Sequence, residues 1–464
     1  NDWIHTPYLD RFAQDAYIFD RAHCGSFPTV PCRNDVLTGR WTLVYKPWAP
    51  LGADEITLPE LLNEAGYVTS LFVDTPHPFA PGFNYQRGFQ AWELIRGQEH
   101  DTWSTSPAEV RLPCNPHKLR GGAHGAAAKY LQNVSERHWE EDYFPARTMR
   151  SAARWLERNR KARFFMYVDT FDPHEPWDPP AHYLERYEQG YEGEEVIYPR
   201  YDRWADFMTE AELKHCRNLY AGEVSLVDRW IGFLLERVED LGLLEGTAII
   251  ITSDHGFYLG EHGYIGKSLI RGTRHQSLPL YPEVSRIPLL IRLPGGRAAR
   301  RLHAFAQPID LMPTILELLG VEVPETVQGK SLLPTIEGRG SPRPFAVSSP
   351  TLSGEHVTIP HPTNRATTTT PDWALVFGSQ VEHVAPETTQ MVDSLAREIE
   401  IVEGPVGPEL YDLKADPWCT QNVITKHPDV ARQIHAQFVS FLKEAGMRKD
   451  HLPYFESVPP EMRG

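Results

Sequence analysis

The sequence has few cysteines and no surplus of basic residues. Its five cysteines are scattered over 464 residues without paired spacing, at Cys24, Cys32, Cys114, Cys216 and Cys419. This argues against a disulfide framework or a cysteine-rich zinc site and favours a reducing, cytoplasmic compartment. Lysine and arginine number 46 against 62 aspartates and glutamates, a net charge of -16. Because no excess of cations is available to neutralise a phosphate backbone, we expect no nucleic-acid partner.

Long apolar runs are also missing. No stretch is long enough to cross a bilayer, and no secretory leader is recognisable, so we expect a cytoplasmic protein without a membrane partner. An apolar content of 41% with 23% charged residues is ordinary for a soluble globular protein. The sequence leaves the oligomeric state open, a homo-oligomer included.

A hydroxyl-bearing stretch between His23 and Arg40 reads HCGSFPTVPCRNDVLTGR. Proline suits a helix start, because its missing N–H would be unpaired there anyway. We therefore predict a helix that begins near Pro31, with Thr29 at or just before its N-terminus and Arg33 one turn on. Free N–H groups and the helix dipole favour an oxyanion, or a tetrahedral phosphate or sulfate, at this point. The simpler interpretation is that Thr29 only caps the helix.

A carboxylate and an imidazole follow one predicted strand. The apolar run 247–252 leads directly into Asp254 and His255. In parallel sheets, sites gather at the carboxyl ends of the strands. Oxygen and nitrogen ligands side by side suit a divalent cation, although a capped strand end would look the same.

Two further strands end in polar residues. His174 follows the strand predicted over 164–168 and is held between two prolines, which makes it a candidate general acid. Thr75 and His77 follow the strand predicted over 67–73, where they could donate hydrogen bonds to a substrate oxygen. For all three residues, a turn without chemistry is the alternative. The loop over 78–124 is expected to shape the substrate pocket, with the weaker candidates Arg96, His100, Trp103 and His124.

The stretch around Thr29 resembles the signature of the sulfatase branch of the alkaline phosphatase superfamily. In that signature a nucleophile, any residue, proline, any residue and arginine precede an apolar pair and Thr-Gly-Arg, which here reads Thr29 to Arg40. A second stretch, Gly260 to Lys267, resembles the family segment whose lysine bridges the transferred group. The resemblance covers nearly the whole chain. It implies that Thr29 is the nucleophile, that Arg33 and Lys267 stabilise its target, and that His174 contacts the leaving oxygen.

The resemblance also implies one divalent cation, which would be Mn, Ca, Mg or Zn. Its ligands in this chain would be Asp254, His255 and Thr29. The family's other two ligands are aspartates on a first strand. That strand normally precedes the Thr-Pro-x-Leu-Asp-Arg segment, which begins here at Thr6, so we expect it before Asn1. The alternative is that this protein lacks the two aspartates.

The departures from the family pattern point to phosphorus esters. Typical sulfatases carry cysteine or serine oxidised to formylglycine, whereas threonine at position 29 cannot become an aldehyde. A phosphorylated threonine can be released by attack of water at phosphorus, while a sulfated one is released slowly. The family's lysine near Thr75 and His77 is also absent. We therefore expect a phosphonate monoester or phosphodiester hydrolase acting on a small anionic ester. A sulfatase without formylglycine and a non-catalytic anion-binding relative remain the alternatives.

The fold class implied is an α/β alkaline-phosphatase-like sandwich. It would have a large, mostly parallel central sheet and a smaller C-terminal antiparallel sheet. A shift in composition near Ser341 predicts a catalytic domain over 1–340 and a small α+β subdomain over 341–464. Periodicity and helix start and stop signals predict helices over 57–66, 148–159, 211–241 and 309–320 and a further strand over 286–292. The resemblance implies that 373–377 belongs to the C-terminal subdomain and that 430–445 is its closing helix.

Overall fold

The computed structural model describes residues 3–105, 110–272, 274–296, 299–381 and 407–463. Its described α-helices are, in chain order, α1 (Pro7–Ala13), α2 (Thr29–Thr38), α3 (Leu58–Glu64), α4 (Ala126–Asn133), α5 (Phe144–Asn159), α6 (Ala181–Leu184), α7 (Glu210–Asp240), α8 (Pro282–Ser285), α9 (Leu311–Leu318), α10 (Leu333–Ile336), α11 (Pro428–Glu444) and α12 (Leu452–Glu456). The described strands are β1 (Tyr17–Ala22), β2 (Val68–Val73), β3 (Ala91–Leu94), β4 (Phe164–Asp169), β5 (Asp202–Arg203), β6 (Ile249–Thr252), β7 (Tyr258–Leu259), β8 (Tyr264–Gly266), β9 (Ser268–Arg271), β10 (Arg274–Ser277), β11 (Leu289–Arg292), β12 (Arg300–Ala306), β13 (Ala346–Ser348), β14 (Ala366–Thr369), β15 (Trp373–Phe377) and β16 (Glu409–Asp412). The molecule is thus an α/β fold.

The strands form three main sheets. One has the order β12-β1-β11-β6 and is mixed, because β1 is parallel to β12 while β11 is antiparallel to both β1 and β6. A second, β3-β2-β4, is wholly parallel. The third, β13-β14-β15-β16, is antiparallel and comes from the C-terminal part of the chain. Two small antiparallel sheets are also present. One has the order β5-β8-β7, and the other pairs β10 with β9.

The expectation of a mostly parallel central sheet is wrong. The reason is the short stretch between Arg292 and Arg300, which joins β11 to β12. A parallel crossover needs a dozen or more residues, so a connection this short reverses the chain. Gly295 and Gly296 adopt φ of 81° and 58° in this reversal, which side chains rarely allow. The apolar run in β11 predicts a buried strand but carries no information about its direction.

The predicted elements are otherwise present with shifted ends. The helices expected over 57–66, 148–159, 211–241, 309–320 and 430–445 are confirmed as α3, α5, α7, α9 and α11. The largest shift is in α5, which begins at Phe144. α2 begins at Thr29 rather than near Pro31, which places the proline in the first turn, where its missing N–H breaks no intrahelical bond.

The C-terminal sheet shares a hydrophobic core with the mixed sheet. Ala374 and Val376 of β15 and Tyr411 of β16 belong to the same buried cluster as Phe19 of β1 and Ile291 of β11. This packing closes one side of the region around α2. The division of the chain near residue 340 stays a prediction.

Buried hydrogen bonds fix the turn that leads into α2. The Asp35 carboxylate accepts from the backbone N–H of Ser26 at 2.8 Å and from that of Thr42 at 2.9 Å. The Ser26 hydroxyl donates to Asp35 at 2.8 Å and accepts from the Leu43 N–H at 2.9 Å. Burial raises the pKa of Asp35 to about 6 even though these donors oppose the shift. The turn before Thr29 is therefore tied to the body of the helix that follows it.

His23, which directly follows β1, is a buried base. Only 6% of its surface is exposed, and its Nδ1 has no hydrogen-bond partner among the described residues. Burial, together with the nearby charges of Arg286 and Arg21, lowers the pKa of His23 to about 3. The unfolded chain therefore binds a proton here at a higher pH than the folded protein does.

Replacing His23 should reduce the loss of stability that occurs as the pH falls below 6.5. Stability from neutral His23 is fully present above pH 6.5 and is lost as pH falls from 6.5 towards 3. The slope is about 1.4 kcal/mol per pH unit. His23→Phe should reduce the pH dependence of the free energy of urea unfolding between pH 6.5 and 4.5 by about this slope. His138→Phe, at an exposed histidine, is the control, and an unchanged profile in His23→Phe would contradict the assignment.

Candidate active site

A cavity of about 510 Å³ opens above the N-terminus of α2. Of the residues singled out from the sequence, it brings together Thr29, His77, His174 and Lys267 on its lining. These side chains come from α2 and from the segments that follow β2, β4 and β8. Chain segments far apart in sequence thus meet at one point, and for His77 and His174 this point is the carboxyl end of the parallel neighbours β2 and β4.

Thr29 is the first residue of α2 and is buried. The N-cap position is Pro28, so the interpretation of Thr29 as merely a helix cap is wrong. The helix N-terminus, with its unpaired N–H groups, therefore lies at the cavity floor beside the hydroxyl-bearing residue. The Thr29 carbonyl oxygen accepts a hydrogen bond from Nη1 of Arg33 at 3.0 Å.

Arg33 is held between two carboxylates rather than on the cavity lining. Its Nε and Nη2 donate to the two oxygens of Asp169 at 2.6 and 2.7 Å. Its Nη1 donates to Oδ2 of Asp254 at 2.8 Å. Such a bidentate pair fixes the guanidinium in position and direction. Arg33 and Asp169 border a separate, much smaller cavity.

Asp254 and His255 present neighbouring oxygen and nitrogen atoms. Asp254 Oδ2 lies 3.6 Å from His255 Nε2. His255 Nδ1 lies 2.9 Å from the Gly256 carbonyl oxygen and therefore carries the proton, which leaves Nε2 as a lone pair. Burial lowers the pKa of His255 to about 4, so the ring is neutral at neutral pH.

The same two atoms fit part of a divalent cation's ligand set. Burial disfavours the charged form of Asp254, but His255, Arg33 and Lys267 together hold its pKa well below the ordinary value. An ionised carboxylate and a neutral imidazole 3.6 Å apart are the donor types that Mn²⁺ and Zn²⁺ accept. The positive charges of Arg33 and Lys267 lie against these atoms, with Lys267 Nζ 3.4 Å from His255 Nε2.

His174 and Lys267 form a directly bonded pair. Lys267 Nζ lies 2.9 Å from His174 Nε2. On the other side of the ring, His174 Nδ1 lies 2.8 Å from the Glu175 carbonyl and 3.1 Å from Glu175 Oε2. Burial, reinforced by Lys267, lowers the pKa of His174 well below its ordinary value, and burial also lowers the pKa of Lys267. The arrangement is therefore a neutral imidazole accepting from an ammonium, and the pair holds one transferable proton.

The two residues predicted after β2 have different surroundings. The Thr75 hydroxyl donates to Oδ1 of Asp169 at 3.1 Å, and Thr75 is not among the lining residues of the large cavity. His77 does line that cavity, and its Nε2 lies 3.1 Å from Oε2 of Glu99. Burial lowers the pKa of His77. Contact of either residue with a substrate stays a prediction.

Glu99 joins His77 to His100 in a compact group. His100 Nδ1 lies 2.7 Å from the same Glu99 oxygen, and within the described ranges these three residues are the one His/Cys/Asp/Glu group with ligand atoms within 4.8 Å of one another. The other Glu99 oxygen accepts from Arg120 at 2.8 Å and from the Tyr198 hydroxyl at 2.5 Å. The group is a possible cation site beside the cavity.

Sequence reasoning missed several residues of this region. Glu99, Arg120 and Tyr201 line the cavity, and Glu175 lies behind His174. Only Glu175 gave a signal, because it is adjacent to His174 in the sequence. Of the weaker loop candidates, His100 contacts Glu99, whereas Arg96 pairs with Asp101 at 2.7 Å. Trp103 and His124 are not on the lining.

Comparison with known proteins shows the family to which this chain belongs. The family model described as Sulfatase matches residues 1–321. The chain is 25% identical over 394 residues to N-acetylglucosamine-6-O-sulfatase of Bacteroides thetaiotaomicron, covering 73% of this chain and 67% of the relative. It is 25% identical over 396 residues to the multifunctional alkaline phosphatase superfamily protein PehA of Trinickia caryophylli, covering 73% of each.

A solved structure shows the same fold. The phosphonate monoester hydrolase of Agrobacterium radiobacter superposes with a TM-score of 0.70 at 21% identity, covering 96% of this chain and 92% of the other. The chain belongs to the sulfatase family, within the alkaline phosphatase superfamily, and is a hydrolase of that family. Enzymes of this family are metal-dependent.

Over the described ranges, no helix combines the length and the apolar character that a bilayer crossing requires.

Neutralising Asp169 should destabilise the protein through Arg33. The Asp169→Asn variant keeps the side-chain shape but leaves a largely buried guanidinium with one carboxylate partner. We expect the free energy of urea unfolding to fall by about 2–4 kcal/mol. Asp372→Asn, in an exposed ion pair with Lys414, is the matched control and should change it by no more than about 1 kcal/mol. Equal effects of the two substitutions would show that Arg33 does not depend on this pair.

Proposed function

We propose that this protein hydrolyses phosphorus esters, either phosphonate monoesters or phosphodiesters, through a covalent intermediate on Thr29. The observation that carries the proposal is a threonine at the first turn of α2, on a cavity that also holds the Lys267–His174 pair. A threonine ester of phosphorus can be cleaved by water, whereas the aldehyde route of typical sulfatases is closed to threonine. The substrate is a small anionic ester.

In the first step, the Thr29 hydroxyl gives its proton to solvent and its oxygen attacks phosphorus, as the bond between phosphorus and the leaving oxygen breaks. The leaving oxygen takes the proton held by the His174–Lys267 pair, in which Lys267 carries the proton and His174 Nε2 accepts from it, and the pair regains a proton from solvent. In the second step, water attacks phosphorus, the bond to Thr29 breaks, and the threonine hydroxyl is restored. The product is the free phosphorus acid, and the alcohol has already departed.

Charge stabilisation falls mainly to Lys267 and to the N-terminus of α2. Lys267 lies against two imidazoles, so its positive charge is available to an anionic group above Thr29. Arg33 contributes from behind Thr29, where its charge is shared with Asp169 and Asp254. The resemblance implies that both Arg33 and Lys267 stabilise this charge, and the contacts of Arg33 favour the smaller share for it.

Asp254 and His255, with Thr29, are the proposed holders of the family's divalent cation. Their donor atoms suit Mn, Ca, Mg or Zn in different degrees, with the imidazole favouring Mn or Zn. When bound, the cation favours the ionised form of the threonine oxygen.

Sulfate ester hydrolysis without formylglycine is the second candidate. It is favoured by the names of relatives such as the N-acetylglucosamine-6-O-sulfatase. The chain's own residues argue the other way, because sulfate release from a threonine ester requires attack at sulfur.

A direct comparison of esters separates the two candidates. Three substrates with a 4-nitrophenyl leaving group should be assayed with the same divalent cation present. They are a phenylphosphonate monoester, a phosphodiester and a sulfate monoester. We expect kcat/KM for the phosphorus esters to exceed that for sulfate by at least about 100-fold, since only the former route leaves Thr29 regenerable. Dominant sulfate turnover would overturn the phosphorus preference.

Substitution of the nucleophile tests the covalent step. Thr29→Ala should lower kcat for the preferred ester by about 10³-fold or more, whereas Thr29→Ser, which keeps the hydroxyl, should retain much of it. Rapid quenching of the unsubstituted enzyme followed by peptide mass spectrometry should find the phosphoryl or phosphonyl group on the peptide that contains Thr29. Turnover by Thr29→Ala at the original rate would contradict a catalytic Thr29, and binding of the esters by the unsubstituted protein without any turnover would indicate a non-catalytic relative.

A further inference from the structure

The cavity above Thr29 is larger than the transferred group requires. Its volume of about 510 Å³ lies within the range of pockets that enclose a small organic molecule. The charged residues on its lining are Glu99, Arg120 and Lys267. Lys267 accompanies His174 in the proposed catalytic pair, and Arg120 donates to Glu99 at 2.8 Å. The remaining lining residues are therefore available to contact the alcohol or phenol that contains the leaving oxygen.

One wall of this remaining space is polar and built from two distant segments. Ser277 comes from β10, and Asn364 from the segment before β14. The Ser277 hydroxyl donates to Asn364 Oδ1 at 2.9 Å, and Asn364 Nδ2 donates to the Thr351 carbonyl at 2.8 Å. These bonds fix the orientation of the amide, so the wall offers a defined set of neutral donors and acceptors.

Two histidines on the same wall are uncharged at neutral pH. His361 Nδ1 accepts from the Thr363 N–H at 3.2 Å, which places the ring proton on Nε2. Burial lowers the pKa of His361 and that of His275, and the proximity of the two rings adds to the effect on His361. Neither ring therefore supplies a positive charge to a ligand at pH 7 or above.

The lining also carries an aromatic residue. Pro47 and Trp48 belong to it, and Trp48 is 39% exposed. The Trp48 ring packs edge-on against His77, with centroids 5.4 Å apart at 83°. Exposed tryptophan in a cavity is a stacking surface for a planar or ring-shaped ligand.

We propose that this outer part of the cavity is a leaving-group subsite for an uncharged ring that bears hydrogen-bonding substituents, and that it discriminates against anionic leaving groups. The proposal rests on the proposed function, because it assigns the alcohol or phenol that the enzyme releases. Its physical basis is the desolvation cost of an anion on a wall without a formal positive charge. A neutral amide or hydroxyl meets the fixed donors and acceptors of Ser277, Asn364 and His361 without this cost.

A pair of matched esters tests the proposal. Phenylphosphonate esters of 3-hydroxybenzamide and of 3-hydroxybenzoate have phenols of similar acidity and differ in one negative charge. At pH 7.5 we expect kcat/KM to favour the amide by at least about 10-fold, with most of the difference in KM, because the discrimination arises in binding. A ratio of one, or a preference for the carboxylate, would overturn the proposal.

A charge introduced on the wall should change this preference. His361→Lys should move the amide-to-carboxylate ratio towards the carboxylate by about 10-fold, because it supplies the missing cation. His356→Lys is the matched control, since it adds the same charge at an exposed position of the same segment outside the lining. An equal shift in both variants would mean that the ratio follows net charge and not the subsite.

Failure of the proposed function is recognised separately. If neither ester turns over, the proposed function fails for these substrates. The subsite is then tested by isothermal titration calorimetry with non-hydrolysable analogues of the two esters, in which a methylene group replaces the bridging oxygen. Tighter binding of the amide analogue than of the carboxylate analogue supports the subsite when this preference is smaller in His361→Lys and unchanged in His356→Lys. Equal binding of the two analogues overturns it.

Discussion

The contact on which the rest of the site depends is the guanidinium of Arg33 between Asp169 and Asp254. β4 ends at Asp169, and Asp254 lies just beyond β6. The Arg33 side chain therefore joins the carboxyl ends of two strands that belong to different sheets. The same Arg33 nitrogen that meets Asp254 also binds the Thr29 carbonyl. The first turn of α2 is therefore held at fixed distances from both strand ends. A largely buried charge of this kind is tolerated only while both partners are present.

This contact also explains how the remaining positive charges are distributed. Arg33 is held by two carboxylates, and Arg120 likewise lies near two, Glu99 at 2.8 Å and Glu175 at 3.3 Å. Lys267 instead lies against the imidazoles of His174 and His255. A charge already shared with carboxylates has less to offer an incoming anion. In the proposed mechanism, charge stabilisation therefore falls mainly to Lys267.

Much of this arrangement could be predicted from local patterns, because strand ends collect sites. The apolar runs before His174 and Asp254 predicted buried strands, and β4 and β6 do precede these residues, but both strands are only partly buried. Pro31 predicted the start of α2 within two residues. The direction of β11 could not be read from its composition, since parallel and antiparallel buried strands are equally apolar. The pairing of Arg120 with Glu99 and Glu175 links segments 21 and 55 residues apart, and nothing in their neighbouring sequence announces it.

The choice of threonine at position 29 has a structural consequence besides its chemistry. Serine and cysteine rotate more freely about χ1, whereas the β-branched threonine is restricted to fewer rotamers. Thr29 is buried at the first turn of α2, so close packing confines its side chain as well. In the proposed mechanism, the side chain therefore loses less conformational entropy when its oxygen attacks phosphorus. The proposed nucleophile, which cannot be oxidised to an aldehyde, is in this way also restricted in orientation before a substrate arrives.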